Sequence, residues 1–175
     1  FCCFNNNHKI TPKIFQSWMK ILDQVKGSVL WLNKKDYIVT SNLQKEAKKF
    51  GVNPNRIIFA PRMTLIEDHL ERYKFVDLFL DTFPYNAHTT ASDAIRMGAP
   101  IVTLIGQSFA SRVASSILKK INLDELITHD ISAYESLAIN LAEYPEKLNH
   151  LKQKLKNRSR LKKLFNSKDY TKNLE

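Results

Sequence analysis

A polar stretch from Asp81 to Asp93 follows the apolar run Leu78–Leu80 and leads into a segment with helical periodicity. In open α/β sheets, ligands bind outside the carboxyl ends of the strands, and a helix start there offers free N–H groups and a positive dipole end to a phosphate. The hydroxyls of Thr89 and Thr90 add donors, and Asp93, one turn along, is placed to accept two ribose hydroxyls. The same residues fit a simpler interpretation equally well, in which Thr90 only caps the helix and Asp93 only complements its dipole.

A second polar cluster, Asn5 to Lys9, lies between the first apolar run and a helix start at Thr11-Pro12. Polar loops of this kind usually form turns. If the strand order brings this cluster beside the helix that begins near Thr89, Lys9 supplies the positive charge that a diphosphate leaving group needs as its negative charge grows.

A third candidate group follows the third apolar run and consists of Arg62, Glu67, His69 and Arg72. Helical spacing can put His69 and Arg72 on one face. Solvated surface charge is the simpler explanation of this group, and the sequence alone favours it.

These candidates depend on a fold in which short apolar strands alternate with helices. Such an alternation is typical of βαβ units, whose parallel sheet is covered on both faces. We therefore predict an α/β fold with a Rossmann-like, doubly wound parallel sheet, followed after Ile105 by C-terminal helices only. The predicted strands are Phe1–Phe4, Val29–Leu32, Ile57–Phe59, Leu78–Leu80 and Ile101–Ile105.

Capping residues and glycines give the limits of the predicted helices. Thr11-Pro12 is a capping hydroxyl followed by proline at the first helical position, and Gly27, Gly51 and Gly98 follow helices where positive φ is favoured. Only Gly106 remains, which excludes both a G-x-G-x-x-G fingerprint and a Walker A loop. The helices are expected from Thr11 to Gly27, from Ser41 to Gly51, from Thr64 to about Tyr73, and from Thr89 or Thr90 to Met97.

The 175 residues, 43% of them hydrophobic, match one compact domain with a buried core. The five histidines have no metal-ligand spacing, no apolar run is long enough for a membrane helix, and no signal peptide is present. Cys2 and Cys3 are adjacent in an apolar tetrapeptide, which favours buried reduced thiols and a cytoplasmic location. The sequence begins at Phe1 inside an apolar run, so we expect it to be part of a longer polypeptide.

Positive charge is concentrated in the C-terminal part of the sequence. Ten basic and three acidic residues lie between Glu146 and Glu175, which accounts for +7 of the net charge of +10. We predict a Rossmann-like domain over residues 1–144 and a basic amphipathic helical extension over residues 145–175. Its stripe of Leu148, Leu151 and Leu155 is expected to be partly uncovered in this chain alone. Because few aromatic residues are interleaved with the basic ones, a solvated helix face is favoured over nucleic-acid binding.

Six blocks of the sequence match one family in order and spacing: Phe1–Asn5, Ser28–Leu32, Asn55–Phe59, Asn86–Asp93, Gly98–Pro100 and Phe109–Ala114. In these blocks the chain resembles the C-terminal catalytic half of O-linked N-acetylglucosaminyltransferases, particularly the bacterial Spindly-type branch. The resemblance implies an inverting glycosyltransferase of the GT-B type, with two Rossmann-like domains, no metal and no cofactor. It also implies that residues 1–144 bind the donor, and that an N-terminal catalytic half and a tetratricopeptide region are partners in the same protein.

The resemblance also implies which residues bind the donor. Lys9 matches the catalytic lysine that stabilises the diphosphate leaving group, and Asp93 matches a ribose-binding carboxylate. The other positions implied to bind the donor lie near the phosphates, the base or the ribose: His69, Arg72, His88, Thr89, Thr90 and Asn6, which stands where the animal enzymes carry Gln. Tyr85 and Ile66 stand where the animal enzymes carry a sugar-facing Cys and a ribose-contacting Lys, so the sugar and the nucleotide stay open.

We therefore expect the donor-binding part of an inverting protein O-glycosyltransferase that moves N-acetylglucosamine from UDP-N-acetylglucosamine (UDP-GlcNAc) to Ser or Thr of an acceptor protein. Two alternatives share the fold: a protein fucosyltransferase that uses GDP-fucose, and a transferase that moves glucose to asparagine. An alternative of another class is a non-catalytic module that binds nucleotides or, through its basic tail, nucleic acid. Without the N-terminal half, the chain is expected to fold, bind nucleotide weakly and transfer no sugar.

Overall fold

A six-stranded parallel sheet forms the centre of the fold in the computed structural model, which describes residues 1–172. The strands are β1 (Cys2–Cys3), β2 (Leu30–Asn33), β3 (Ile57–Ala60), β4 (Phe79–Leu80), β5 (Ile101–Leu104) and β6 (Ile127–Thr128). Their order is β3-β2-β1-β4-β5-β6, and each neighbouring pair is parallel. The chain order therefore reverses between β1 and β4, the point where ligands bind in sheets of this topology. The predicted α/β fold with a doubly wound parallel sheet is confirmed.

Nine α-helices lie within residues 1–172, and several of them begin or end at predicted capping residues. They are α1 (Pro12–Gln24), α2 (Tyr37–Lys49), α3 (Ile66–Glu71), α4 (Thr89–Arg96), α5 (Val113–Lys120), α6 (Ile131–Glu143), α7 (Pro145–Lys156), α8 (Arg158–Phe165) and α9 (Ser167–Lys172). The Thr11 hydroxyl accepts the N–H of Ile14 at the start of α1, as expected for its cap. Gly27, Gly51 and Gly98 have φ values between +77° and +81°, which confirms the predicted helix ends.

Two predictions about the secondary structure are wrong: one concerns the region after Ile105 and the other the start of α2. The region after Ile105 is not purely helical, because β6 adds a strand at the edge of the sheet and its Thr128 hydroxyl donates to the backbone oxygen of Thr103 at 3.0 Å. β6 pairs Ile127 with the polar Thr128, so it lacks the apolar run that marked the equally short strands β1 and β4. Helix α2 begins before Ser41 because the carboxylate of Asp36 accepts the N–H of Val39 at 2.9 Å and caps it there.

The apolar stripe of α7 is buried, so the expectation that it is partly uncovered is wrong. Leu148, Leu151 and Leu155 are exposed by 9%, 4% and 2% and belong to the same core as the sheet. They reach this core because α7 packs on α6. A second Rossmann-like domain is therefore not needed to cover this stripe.

Two lysines of α7 form ion pairs with acidic residues of the body of the fold. Lys152 lies 2.9 Å from Asp77, and Lys154 lies 2.6 Å from Glu125. The predicted extension is divided into α7, α8 and α9, and its residues 173–175 lie outside the described part of the chain. The boundary at residue 144 stays a prediction.

Candidate functional site

The loops that follow β1 and β4 lie side by side at the carboxyl edge of the sheet. The Lys9 Nζ atom donates a hydrogen bond to the backbone oxygen of Asn86, 2.9 Å away, and lies 3.7 Å from the centre of the Tyr85 ring. Burial lowers the pKa of Lys9, and the negative charge of Asp81 acts in the opposite direction. The strand order thus brings Lys9 to the loop that leads into the helix at Thr89.

Helix α4 presents unused backbone donors at its start. Its N-cap is His88, whose side chain makes no capping hydrogen bond. The N–H groups of Ala91 and Ser92 donate to the backbone oxygen of His88 at 3.1 and 3.2 Å. The N–H groups of Thr89 and Thr90 come earlier and have no acceptor within the helix. With the exposed Thr89 side chain, they form a set of donors at the positive end of the helix dipole.

The hydroxyl of Thr90 was expected either to donate to a phosphate or to cap α4, and it does something else. His88 occupies the cap position, so the interpretation of Thr90 as a simple N-cap is wrong. The Thr90 hydroxyl donates to Oδ1 of Asn5. The amide nitrogen of Asn5 donates in turn to Oδ1 of Asp81 at 3.2 Å and to Oγ1 of Thr82 at 2.7 Å. The hydroxyl proton of Thr90 is therefore engaged inside the fold, and its backbone N–H is the donor left for a ligand.

Asp81 is the buried acceptor on which these loops converge, and no motif in the sequence marks it. Its carboxylate accepts the N–H groups of Thr82 and Ala87, both at 2.7 Å, and the hydroxyl of Thr103 at 2.6 Å, besides the amide of Asn5. Burial raises the pKa of Asp81 to about 6, although each of these donors favours the ionised form. The available indication was a charged residue directly after an apolar strand, since a buried charge requires partners.

Two aromatic side chains hold the backbone at the end of β4. The Tyr134 hydroxyl donates to the backbone oxygen of Asp81 at 2.9 Å and accepts the indole N–H of Trp18 at 3.0 Å. Both rings are fully buried. A polar chain from α1 through α6 therefore fixes the strand end from which the loop of the site begins.

A cavity of about 410 Å³ lies between the loops that follow β2 and β3 and helix α3. Its lining includes Asn33, Lys34, Arg62, Leu65, His69 and Arg72. Arg72 is 4% exposed; its Nη2 donates to the backbone oxygen of Pro61 at 3.0 Å, and its Nε has no hydrogen-bond partner among the described residues. A buried N–H without a partner is costly, so a ligand acceptor that reached this atom would stabilise it. Solvated surface charge describes the exposed Arg62 and Glu67 but is wrong for Arg72.

His69 lies close enough to both Arg72 and Asp93 for their charges to interact. Burial and the charge of Arg72 lower the pKa of His69, and Asp93 opposes this shift. Burial raises the pKa of Asp93, and the charge of His69 opposes it. The His69 ring and the Arg72 guanidinium lie 6.2 and 5.4 Å from the ring of Phe4, which directly follows β1. His69 therefore connects the three predicted nucleoside residues, because it lies near Arg72 in the cavity and near Asp93 on α4.

The side chain of Asn6, which is predicted to bind the donor, is exposed and does not cap the 3₁₀ turn that follows it. The neighbouring Asn5 is the one that is buried and bonded to α4. A contact between Asn6 and a donor stays a prediction.

Aromatic rings line the side of the site next to Lys9. Tyr85 is 42% exposed, and its ring lies 5.1 Å from the ring of His88. His88 in turn lies 5.9 Å from Phe109, which is 76% exposed. This accessible aromatic surface adjoins both the lysine and the helix start.

Within residues 1–172, no group of three or more His, Cys, Asp or Glu side chains is arranged to hold a metal ion. In the same part of the chain, none of the helices has the length and apolar character that a membrane crossing requires. Cys2 and Cys3 are buried and do not form a disulfide.

Comparison with known proteins gives a family match along the chain. The model of glycosyl transferase family 41 matches residues 1–174. The chain is 35% identical over 178 aligned positions to the probable UDP-N-acetylglucosamine–peptide N-acetylglucosaminyltransferase SPINDLY of Oryza sativa subsp. japonica, covering all of this chain and 19% of that protein. It is 34% identical to the UDP-N-acetylglucosamine–peptide N-acetylglucosaminyltransferase of Caenorhabditis elegans, again covering all of this chain and 15% of that protein.

A solved structure supports the same relationship at the level of the fold. A mutant of the Thermobaculum terrenum O-GlcNAc transferase superposes with a TM-score of 0.87 at 33% sequence identity. The match covers 91% of this chain and 32% of that one. The chain therefore spans less than a third of the length of these relatives.

Proposed function

Because the chain belongs to glycosyltransferase family 41, we propose that it forms the donor-binding part of an enzyme that transfers N-acetylglucosamine from UDP-GlcNAc to Ser or Thr of proteins. The observation that carries this proposal is the placement of Lys9 beside the start of α4, at the point where the strand order reverses. The relatives described above are named as transferases of N-acetylglucosamine from UDP-N-acetylglucosamine to peptides, one of them as a probable one, which supports this donor and this class of acceptor.

The diphosphate is assigned to the start of α4. Its two free N–H groups, at Thr89 and Thr90, and the positive end of the helix dipole form an anion site that needs no glycine-rich loop. Lys9 adds a full positive charge beside the same loop. This combination fits two phosphate groups better than it fits a single carboxylate.

The nucleoside is assigned to the cavity at Arg72. The unpaired Nε of Arg72 fits a carbonyl oxygen of the base, and His69 stands beside it. Asp93 lies on α4 one turn after Thr89, so a ribose joined to the diphosphate falls within its reach. We favour UDP over GDP because the block Asn86–Asp93 resembles the UDP-sugar enzymes more closely.

The chemistry assigned to this half concerns the leaving group. The acceptor hydroxyl attacks the anomeric carbon, the bond from that carbon to the diphosphate oxygen breaks, and negative charge grows on the diphosphate. Lys9 and the N–H groups of α4 stabilise that charge in the transition state. The residues beyond this chain are expected to supply the acceptor site and the base that removes the hydroxyl proton.

Thermal unfolding of the chain with added ligands tests the proposed donor site. UDP is expected to raise the melting temperature more than uridine at equal concentration, because only UDP reaches Lys9 and α4. At 100 times its Kd, a ligand stabilises the folded state by about 2.7 kcal/mol. Equal shifts from UDP and uridine would contradict the diphosphate site.

The same measurement separates the alternatives. A larger shift with GDP than with UDP would favour the GDP-fucose alternative. Salt-sensitive binding of RNA or DNA with no shift from either nucleotide would favour the non-catalytic module.

A further inference from the structure

The carboxylate of Asp81 closes the loop between β4 and α4 onto itself. Its Oδ1 atom accepts the N–H groups of Thr82 and Ala87, both at 2.7 Å, so one atom holds the two ends of the loop. Within the loop, the Thr82 hydroxyl donates to the backbone oxygen of Tyr85 at 2.6 Å. The amide nitrogen of Asn86 donates to the backbone oxygen of Thr82 at 2.9 Å. The loop that contacts Lys9 is therefore shaped around this carboxylate.

Asn5 connects the same carboxylate to the other components of the site. Its amide nitrogen donates to Asp81, and its Oδ1 accepts the hydroxyl of Thr90, the second residue of α4. Asn5 also opens the polar loop that ends at Lys9. A continuous set of hydrogen bonds thus joins Asp81 to the helix start and to the loop that carries the lysine.

A purely stabilising role explains this arrangement poorly. Asp81 is fully buried, and its partners are neutral amides and hydroxyls, not a lysine or arginine in an ion pair. Removing a carboxylate from water is expensive, and apolar residues of similar volume often stabilise a fold as well or better. A buried charge with four donors does, however, fix the relative positions of the groups that donate to it.

We propose that Asp81 is a positioning residue for the diphosphate, acting through Asn5 and the 82–87 loop to hold the start of α4 and Lys9 in the arrangement that receives the phosphates. The inference rests on the proposed donor site. It predicts that Asp81 affects the phosphate contacts of UDP and leaves the nucleoside contacts at Arg72 unchanged.

NMR titration of the 175-residue chain with UDP and with uridine tests this separation. In Asp81→Asn, which keeps the size of the side chain, we expect the preference for UDP over uridine to fall about 10-fold or more, because hydrogen bonds to charged groups are the stronger ones. The Kd of uridine is expected to stay within about twofold of the original value. Thr103→Val is the matched control, since it removes one donor from the same carboxylate on the β5 side and leaves the loop intact.

The outcomes distinguish this inference from the proposed function. If the original chain prefers UDP and Asp81→Asn keeps that preference, the inference is overturned and the donor site stands. If the original chain binds both ligands equally, the donor site itself fails, and the inference fails with it. Should Asp81→Asn not fold, as judged by its amide spectrum, Asn5→Ser breaks the connection to α4 and is expected to cause the same selective loss; an unchanged preference in that variant overturns the inference.

Discussion

Lys9→Ala in the full-length protein is expected to lower kcat for sugar transfer about 10²–10³-fold, the usual cost of removing one electrostatic donor to a developing charge. The Kd of UDP-GlcNAc is expected to change far less, because the charge on the leaving diphosphate grows mainly in the transition state. Lys9 lies over Tyr85 and bonds to the backbone of Asn86, so its ammonium group is already held next to the diphosphate site. Steady-state kinetics together with direct donor binding separate the two quantities.

Lys13→Ala is the control, since Lys13 is an exposed lysine in the first turn of α1. Its kcat is expected to stay close to that of the original protein. A Lys9→Ala variant with normal kcat and weak donor binding would restrict Lys9 to ground-state binding. A similar fall in kcat in both variants would point to the overall positive charge of the protein instead of a specific contact of Lys9.

Asp93→Asn is expected to weaken UDP binding by about 10- to 100-fold, the range for hydrogen bonds to a charged group. The half-buried carboxylate of Asp93 lies on α4 beside His69, where the ribose of the proposed nucleotide falls. If it accepts a ribose hydroxyl, the original chain binds UDP more tightly than 2′-deoxy-UDP, and the variant loses this difference. Calorimetric titration with both nucleotides measures it.

Asp68→Asn is the matched control, because Asp68 is an exposed acid on α3. It is expected to leave both affinities unchanged. If the Asp93→Asn variant still prefers UDP over 2′-deoxy-UDP, Asp93 does not bind the ribose. In the full-length protein, kcat at saturating donor is expected to fall much less than in Lys9→Ala.

The parts of the fold that follow from local chemistry could be predicted from the sequence. Thr11-Pro12 begins α1, and the glycines at 27, 51 and 98 end helices, because each preference acts within a few residues. Five strands were visible because buried parallel strands are apolar throughout. β6 was not, because it pairs Ile127 with Thr128 and lacks the apolar run that marked the equally short β1 and β4. The cap at Asp36 was missed because the first turn of α2 is exposed and lies outside the apolar period that begins at Leu43.

The site shows the same division between local and distant effects. The position of Lys9 relative to α4 was predicted only on the condition that the strand order brings the two loops together, and the order β1 beside β4 meets that condition. The contacts of Asn5 with Asp81 and with Thr90 join residues 76 and 85 positions apart, and nothing local in the sequence signals them. Arg72 likewise looked like surface charge because its burial depends on how the loop after β3 folds over it.

A crystal structure of the chain with UDP tests the proposed donor site directly. We expect diphosphate oxygens to lie about 3 Å from the N–H groups of Thr89 and Thr90 and from Lys9 Nζ, the usual hydrogen-bond distance. We also expect the base to lie in the cavity with an acceptor on Arg72 Nε. A UDP molecule bound away from the junction of β1 and β4, or bound there with its diphosphate directed away from α4, would contradict the proposed donor site.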